Sequence, residues 1–245
     1  MEALAPVLNG DVGDWRLSDE EFLAAFHLPG AAEKHDRLKG LNPLPRDRRI
    51  VFNEERHEYR IDGVLAPRSV TGLVHTYAYD FDPDAAVVAM KNGTRWPEKR
   101  ASFLTDSGAE MSEGEIVDQW KRSGQIASAR GTLLHWHCEM HLNGRRLEPP
   151  HSPEFEMFLA IFGVLQSWGL RPFRTEICLF HCGLCLAGQA DALFVDADGA
   201  ITILDWKRTK TIRFGNSFRS LREPLQHLPD SNGWLYCLPR VTIEV

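Results

Sequence analysis

Two stretches decide how this chain folds: Leu186-Ala187-Gly188-Gln189-Ala190-Asp191-Ala192-Leu193-Phe194-Val195 and Ala200-Ile201-Thr202-Ile203-Leu204-Asp205-Trp206-Lys207. Between them lies Asp196-Ala197-Asp198-Gly199, a strong hairpin turn, so residues 184–195 and 200–207 read as antiparallel strands. Residues 175–180 read as a strand before them. Residues two apart share a face of a strand, so Asp205 and Lys207 point with Ile201 and Ile203, and Trp206 points away. A carboxylate and an ammonium that close an apolar strand are costly to bury without partners. The neighbouring strands offer Asp191 and Glu176, which brings three carboxylates and one ammonium to one edge of the sheet. Crowded carboxylates repel unless a hard cation joins them, and Mg²⁺ or Mn²⁺ is the usual one. An isolated Asp-x-Lys reads first as a plain ion pair at a strand end. Here Gly188, three residues before Asp191, adds room for close approach.

Upstream of the strands the chain reads as mostly helical. Residues 113–130 and 132–142 carry apolar residues on a helix period, as do 82–90 behind Asp82-Pro83. From Ser152 to Trp168, Phe155, Phe158, Leu159, Phe162 and Leu165 form an i, i+3, i+4 stripe that reads as core. Ser69 or Thr71 can cap a helix through Tyr77. Residues 49–53 and 57–63 read as a short hairpin. Residues 1–50 read as a peripheral arm, with one helix opened by the capping-box pair Ser18 and Glu21 and stopped at Pro29-Gly30. Residues 51–245 read as the main domain, with its centre at about 131–210.

Composition sets the outer bounds. The chain has 245 residues, 43% hydrophobic and 25% charged, which suits a folded domain and not a disordered one. With 28 Lys+Arg against 34 Asp+Glu, the net charge is −6, so a uniformly basic nucleic-acid surface is excluded. A polyanion partner must meet a local basic patch or a metal held by carboxylates. No apolar run approaches the roughly 18 residues of a membrane span, and the N-terminus lacks signal and transit patterns. Five Cys, an odd number, fit a reducing compartment. The expectation is a soluble intracellular protein with no membrane partner, its compartment open among cytoplasm, nucleus and mitochondrion.

Glu176, Gly188-Gln189-Ala190-Asp191 and Asp205-Trp206-Lys207, in this order and spacing, resemble the PD-(D/E)xK phosphodiesterase superfamily. The branch is the exonuclease-like one related to the RecB nuclease domain and lambda exonuclease. Gly131-Thr132-Leu133-Leu134-His135 with Glu139 resembles that branch's helix motif, and Ser69-Val70-Thr71 with Phe81-Asp82 its N-terminal part. The likeness covers roughly residues 57–210. It implies an α/β fold with a restriction-endonuclease-like core, a central mixed sheet flanked by helices, and metal-dependent hydrolysis of DNA, linear duplex or single-stranded, more from an end than internally. It implies that Asp191 and Asp205 ligate Mg²⁺ or Mn²⁺ with the main-chain carbonyl of Trp206, that His135 adds a ligand, that Lys207 orients the attacking water, and that Glu176 is an auxiliary acid. Arg208, Lys210 and Arg213, with Arg219 and Arg222 beyond them, form a basic stretch after the site that suits a nucleic-acid backbone.

Two features pull elsewhere. Cys178, His181, Cys182 and Cys185 invite a structural zinc or iron–sulfur reading, although a simple hairpin turn at His181-Cys182-Gly183 accounts for them. In the family, DxK is followed by a helix with a Gln and then a Tyr. Here Asn232–Leu238 leads towards such a helix, Pro239 is expected to interrupt it, and the chain ends soon after. The expectation is a core truncated at its C-terminus. The alternatives to a nuclease are a catalytically weak nucleic-acid-binding protein and a Cys/His zinc protein.

Overall fold

A computed structural model describes residues 16–26 and 36–241. The first helix, α1 (Asp19–Ala25), opens on the expected capping box: Ser18 Oγ accepts from Glu21 N–H, and the Glu21 carboxylate accepts from Ser18 N–H. Its expected stop at Pro29-Gly30 lies outside the described residues. Helix α2 (Arg37–Leu41) and a 3₁₀ turn (Pro45–Arg49) lead into β1 (Ile50–Asn53), β2 (Glu58–Ile61) and β3 (Val64–Leu65), a three-stranded antiparallel sheet. A short strand β4 (Arg68–Ser69) runs into α3 (Val70–His75), which Ser69 caps by accepting from Gly72 N–H.

Contacts divide the chain into two compact units, residues 79–130 and the remainder. The smaller unit holds α4 (Pro83–Lys91), capped by Asp82, and α5 (Trp96–Lys99). It also holds the first part of α6 (Glu113–Leu142). Val87, Ile116 and Val117 are buried together there, beside Trp96, Phe103 and Trp120. Glu110 pairs with Lys91 at 3.0 Å and Arg100 at 2.9 Å. The two helices expected over 113–130 and 132–142 are one: Gly131 sits mid-helix, and α6 continues through it into the larger unit.

The larger unit is built on β5 (Arg171–His181), β6 (Leu186–Val195) and β7 (Ile201–Leu204), with α7 (Pro153–Ser167) and α8 (Asn232–Val241). Strand β6 is central. It pairs antiparallel with β5 from Arg171↔Val195 to His181↔Leu186, with a register shift between Pro172 and Arg174, and on its other edge it pairs antiparallel with β7 and parallel with β4. The sheet is therefore mixed, and helices flank it: the fold is α/β. Ala192 and Phe194 of β6 are buried against Cys138 and Leu142 of α6 and against Phe155, Phe158 and Leu165 of α7. Each fully buried Phe contributes about 2–3 kcal/mol of hydrophobic stabilisation before entropy is counted. The apolar stripe read on residues 152–168 is thus the core face of α7.

The expected arm is integrated from Asp36 onward. Leu38 of α2 is buried in that same core, and Asn42 Nδ2 donates to the carbonyl of Phe173 on β5 at 2.8 Å. At the other end, α8 continues through Pro239 rather than breaking there. Pro239 supplies no N–H to the Leu235 carbonyl, and α8 packs on α3. Among the described residues, no helix is long and apolar enough to cross a membrane.

Candidate metal centre

The sheet register lines the acidic residues up. Between the pairs Thr175↔Ala192 and Ile177↔Ala190, Glu176 of β5 falls opposite Asp191 of β6. One step past the last β6–β7 pair, Ala192↔Leu204, Asp205 falls opposite Asp191 on the other side. Glu176, Asp191 and Asp205 therefore occupy one row across three neighbouring chain segments. The ladder gives way at this row. Glu176 has φ +46°, a left-handed conformation that costs a non-glycine residue on the order of 1 kcal/mol or more. Its carbonyl oxygen accepts from Gln189 Nε2 at 3.2 Å, so a side chain takes over where the strand-to-strand bond is lost.

The histidine comes from α6. The spacing that buries Leu134, Cys138 and Leu142 sets His135 and Glu139 one position on, a helical turn apart. His135 Nδ1 lies 3.5 Å from Asp191 Oδ2, and one donor atom each of His135, Glu176 and Asp191 fall within 4.8 Å of one another. Burial opposes protonation of His135, but the hydrogen bond to Asp191 and the charges of Asp191 and Glu176 outweigh it and raise its pKa. Helix and sheet are held in this alignment by Asn143, which is 1% exposed. Its Oδ1 accepts from Leu38 N–H, and its Nδ2 donates to the Glu139 carbonyl and to Thr175 Oγ1, each at 2.9 Å. Nothing in the sequence pattern marked Asn143 or Gln189 for these roles; a polar side chain inside an apolar segment was the available signal.

Beyond β7 the chain stays close to the row. Trp206 N–H donates to Asp191 Oδ2 at 2.6 Å, and the indole packs edge-on against Phe158 with centroids 5.1 Å apart. Asp205 pairs with Lys207, Nζ lying 2.7 and 2.8 Å from its two carboxylate oxygens. The structure thus brings His135, Glu176 and Asp191 to one point and sets Asp205 with Lys207 beside it. The contact made by Trp206 with Asp191 is through its N–H. Of the basic stretch, Arg208 reaches Glu154 of α7 at 2.9 Å, while the residues Lys210 and Arg213 are exposed. The start of α8 shapes this stretch: Asn232 Oδ1 accepts from Arg213 N–H, Asn232 Nδ2 donates to the Thr211 carbonyl, and a Cβ on Gly233 would come within 2.7 Å of the Arg213 carbonyl. Arg219 pairs with Asp230, and Arg222 donates to the Thr76 carbonyl.

The cysteines do not assemble. Cys178 and Cys185 border an apolar cluster with Ala187 and Tyr59, and Cys182, exposed at the hairpin turn, accepts from Arg49. His181 Nδ1 accepts from Leu184 N–H, closing the turn. Among the described residues, the one convergent His/Cys/Asp/Glu group is His135, Glu176 and Asp191. On the far side of α6, His137 and His141 meet the Phe155 ring of α7, and burial followed by the charge of His151 lowers both pKa values, that of His137 to about 4.

One imidazole nitrogen and two carboxylates suit a divalent cation. Carboxylate oxygens suit Mg²⁺ and Mn²⁺, and the imidazole adds a donor of the kind that zinc and the later transition metals favour. These three residues could together hold a metal ion, and the set differs from the implied one by having Glu176 in place of Asp205. Comparison of the chain with protein-family models, curated proteins and solved structures gives no match.

Proposed function

We propose that this protein is a metal-dependent nuclease with a restriction-endonuclease-like core, hydrolysing phosphodiester bonds in DNA and preferring an end. The observation that carries this reading is the row Glu176, Asp191, Asp205 beneath His135, with Lys207 alongside. A phosphodiester is repelled by such a row, so a cation is required, and a bound Mg²⁺ or Mn²⁺ would neutralise charge and acidify water. His135, Glu176 and Asp191 would hold the ion. Lys207, 2.7 Å from Asp205, is placed to orient a water molecule and to offset charge that builds on the phosphoryl oxygens. Attack of the water oxygen on phosphorus breaks the bond to the leaving sugar oxygen, and the water proton passes to solvent or a carboxylate. Exposed Lys210 and Arg213 suit the approaching backbone.

A second reading is binding of DNA without efficient cleavage. It is favoured by one observation: Asp205 stands outside the convergent group and pairs with Lys207. The deciding experiment is incubation of end-labelled linear and closed circular DNA with Mg²⁺ or Mn²⁺, beside Asp205→Ala and Lys207→Ala. Loss of the linear form alone, abolished by both substitutions and by EDTA, supports the exonuclease. Cutting of the circle keeps the chemistry and makes it an endonuclease. Binding without cleavage by folded protein favours the second reading, and cleavage that survives both substitutions overturns the site.

A further inference from the structure

From Lys207 to Arg222 the chain carries six cations (Lys207, Arg208, Lys210, Arg213, Arg219 and Arg222) and no Asp or Glu, in a protein whose net charge is −6. Basic runs are commonly just solvated, so charge alone identifies no partner. This run also displays apolar side chains: Ile212 is 57% exposed, Phe214 49% and Phe218 97%. Packing accounts for Phe214. Its ring meets Trp234 of α8 edge-on at a centroid distance of 5.4 Å, and the indole Nε1–H donates to the Phe214 carbonyl at 3.0 Å. Packing does not account for Phe218. It is the most exposed large hydrophobic among the described residues, and both faces of its ring are open.

The backbone that presents Phe218 is pinned. Asn216 Oδ1 accepts from Phe218 N–H at 3.0 Å, while Asn216 Nδ2 donates to the Asp230 carbonyl at 2.6 Å. The Asp230 carboxylate pairs with Arg219 at 3.1 Å, and Asp230 N–H donates to the Arg219 carbonyl. Beyond them Leu221, 2% exposed, donates its N–H to the Leu228 carbonyl. An aromatic ring on a pinned backbone loses little freedom when a partner covers it. The exposed residues Lys210 and Arg213 on the same run attract phosphate. Cations for a phosphate chain and an open aromatic face for a base are the two components of single-strand recognition. In an intact duplex the bases already stack on one another and offer the ring no face. An anionic membrane would also be drawn to the cations, but a single ring on an irregular segment lacks the apolar helix face that inserts into lipid.

We infer that the run from Arg208 to Arg222 binds single-stranded DNA, with an unpaired base stacked on Phe218 and the phosphates met by Lys210 and Arg213. That the strand is DNA, and that it leads to the carboxylate row, rests on the nuclease reading. On that reading, Phe218 holds an unpaired end and passes over closed duplex, which gives the preference for ends a physical cause.

The test is binding of a labelled single-stranded oligonucleotide to the full chain in EDTA, followed by fluorescence anisotropy, so that no cleavage is involved. Phe218→Ala weakens this binding at least fivefold, the lower end of what one stacked base contributes, and leaves binding of an abasic strand of equal length unchanged. Its Tm stays that of the parent, because the side chain is 97% exposed. Lys210→Ala with Arg213→Ala weakens binding of both strands alike and reduces the steepness of log K against log salt concentration by about 1.4. Absence of single-strand binding by folded protein, unchanged binding by Phe218→Ala, an equal loss on the abasic strand, or binding to anionic lipid vesicles alone each overturns the inference. Phe218-dependent binding by a chain that cleaves no DNA would instead count against the nuclease reading and leave this inference standing. Cleavage by a chain whose binding ignores Phe218→Ala would do the reverse.

Discussion

The main-chain N–H of Trp206 donates to Asp191 Oδ2 at 2.6 Å, across the point where the β6–β7 ladder has ended at Leu204. A carboxylate that accepts a backbone N–H is held by a strong, charge-assisted bond. The same oxygen lies 3.5 Å from His135 Nδ1. Asp191 therefore orders the chain that carries Asp205 and Lys207 and also belongs to the convergent group with His135 and Glu176.

These two duties are separable by mutation. Asp191→Asn keeps an oxygen for the Trp206 N–H but removes the charge. Mn²⁺ affinity, followed by electron paramagnetic resonance, is expected to fall at least tenfold with little change in Tm. Asp191→Ala also leaves the N–H without its partner and lowers stability by a further 1–3 kcal/mol or about that. Equal Mn²⁺ binding by Asp191→Asn and the parent would remove Asp191 from the metal group.

Lys207 gives a different pattern. Its ammonium pairs with Asp205 and is outside the convergent donor group. Lys207→Met is expected to leave Mn²⁺ affinity within a few-fold and to lower the cleavage rate on the order of 10²–10³-fold, the range seen when one stabilising donor is lost. Lys207→Arg should not restore the rate, because a planar guanidinium places its charge differently from a compact ammonium. Loss of metal affinity in Lys207→Met would mean that Lys207 organises the site rather than the water.

Much of this was legible in the sequence because it depends on short-range rules. Asp196–Gly199 forms the turn its chemistry predicts, Gly199 adopting φ +86°, and that fixes the alternation by which Trp206 packs inward beside Leu204. Ser18, Ser69 and Asp82 cap helices as their positions suggest. What escaped depends on contacts far apart in sequence. The left-handed backbone at Glu176 has no local glycine to announce it, and its support comes from Gln189, thirteen positions on. The burial of Leu38, in a stretch read as peripheral, is set by residues from Cys138 onward, at least 100 positions later. Pro239 reads as a stop, and the helix runs through it to Val241 while packed on α3, a contact far apart in sequence.

Asn143 offers a test of the long-range part. It joins α2, α6 and β5 through three hydrogen bonds at 2.9 Å. Asn143→Leu leaves Leu38 N–H and Thr175 Oγ1 without this partner in a buried place and is expected to cost about 2–3 kcal/mol in urea unfolding. The same substitution should lower metal affinity, because His135 on α6 and Glu176 on β5 lose the residue that aligns them. A stability loss below about 0.5 kcal/mol would show that the bonds are replaced by water or by neighbouring groups.

The aromatic seam between α6 and α7 sets a pH dependence of stability that is separate from the metal group. His141 faces the rings of Phe155, Phe158 and Phe162, with His151 as the nearby titrating group, and its pKa is lowered first by burial and then by that charge. A histidine with its pKa depressed by folding binds fewer protons in the native than in the unfolded state below the ordinary value of about 6.5. Its penalty is therefore absent above that pH and grows as the pH falls through it. His135, whose pKa folding raises, gains stability over the same fall in pH, so the His141 contribution is read as a difference. Between pH 7.5 and 5.5 the parent's urea midpoint should lose ground relative to His141→Gln, before carboxylates such as Asp47, which titrate lower still, begin to contribute. His141→Gln cannot take up the proton and so escapes this loss. His137, with its pKa near 4, acts in the same direction, and a residual slope is expected in the variant. Parallel profiles for the parent and His141→Gln would place the pH dependence elsewhere in the fold.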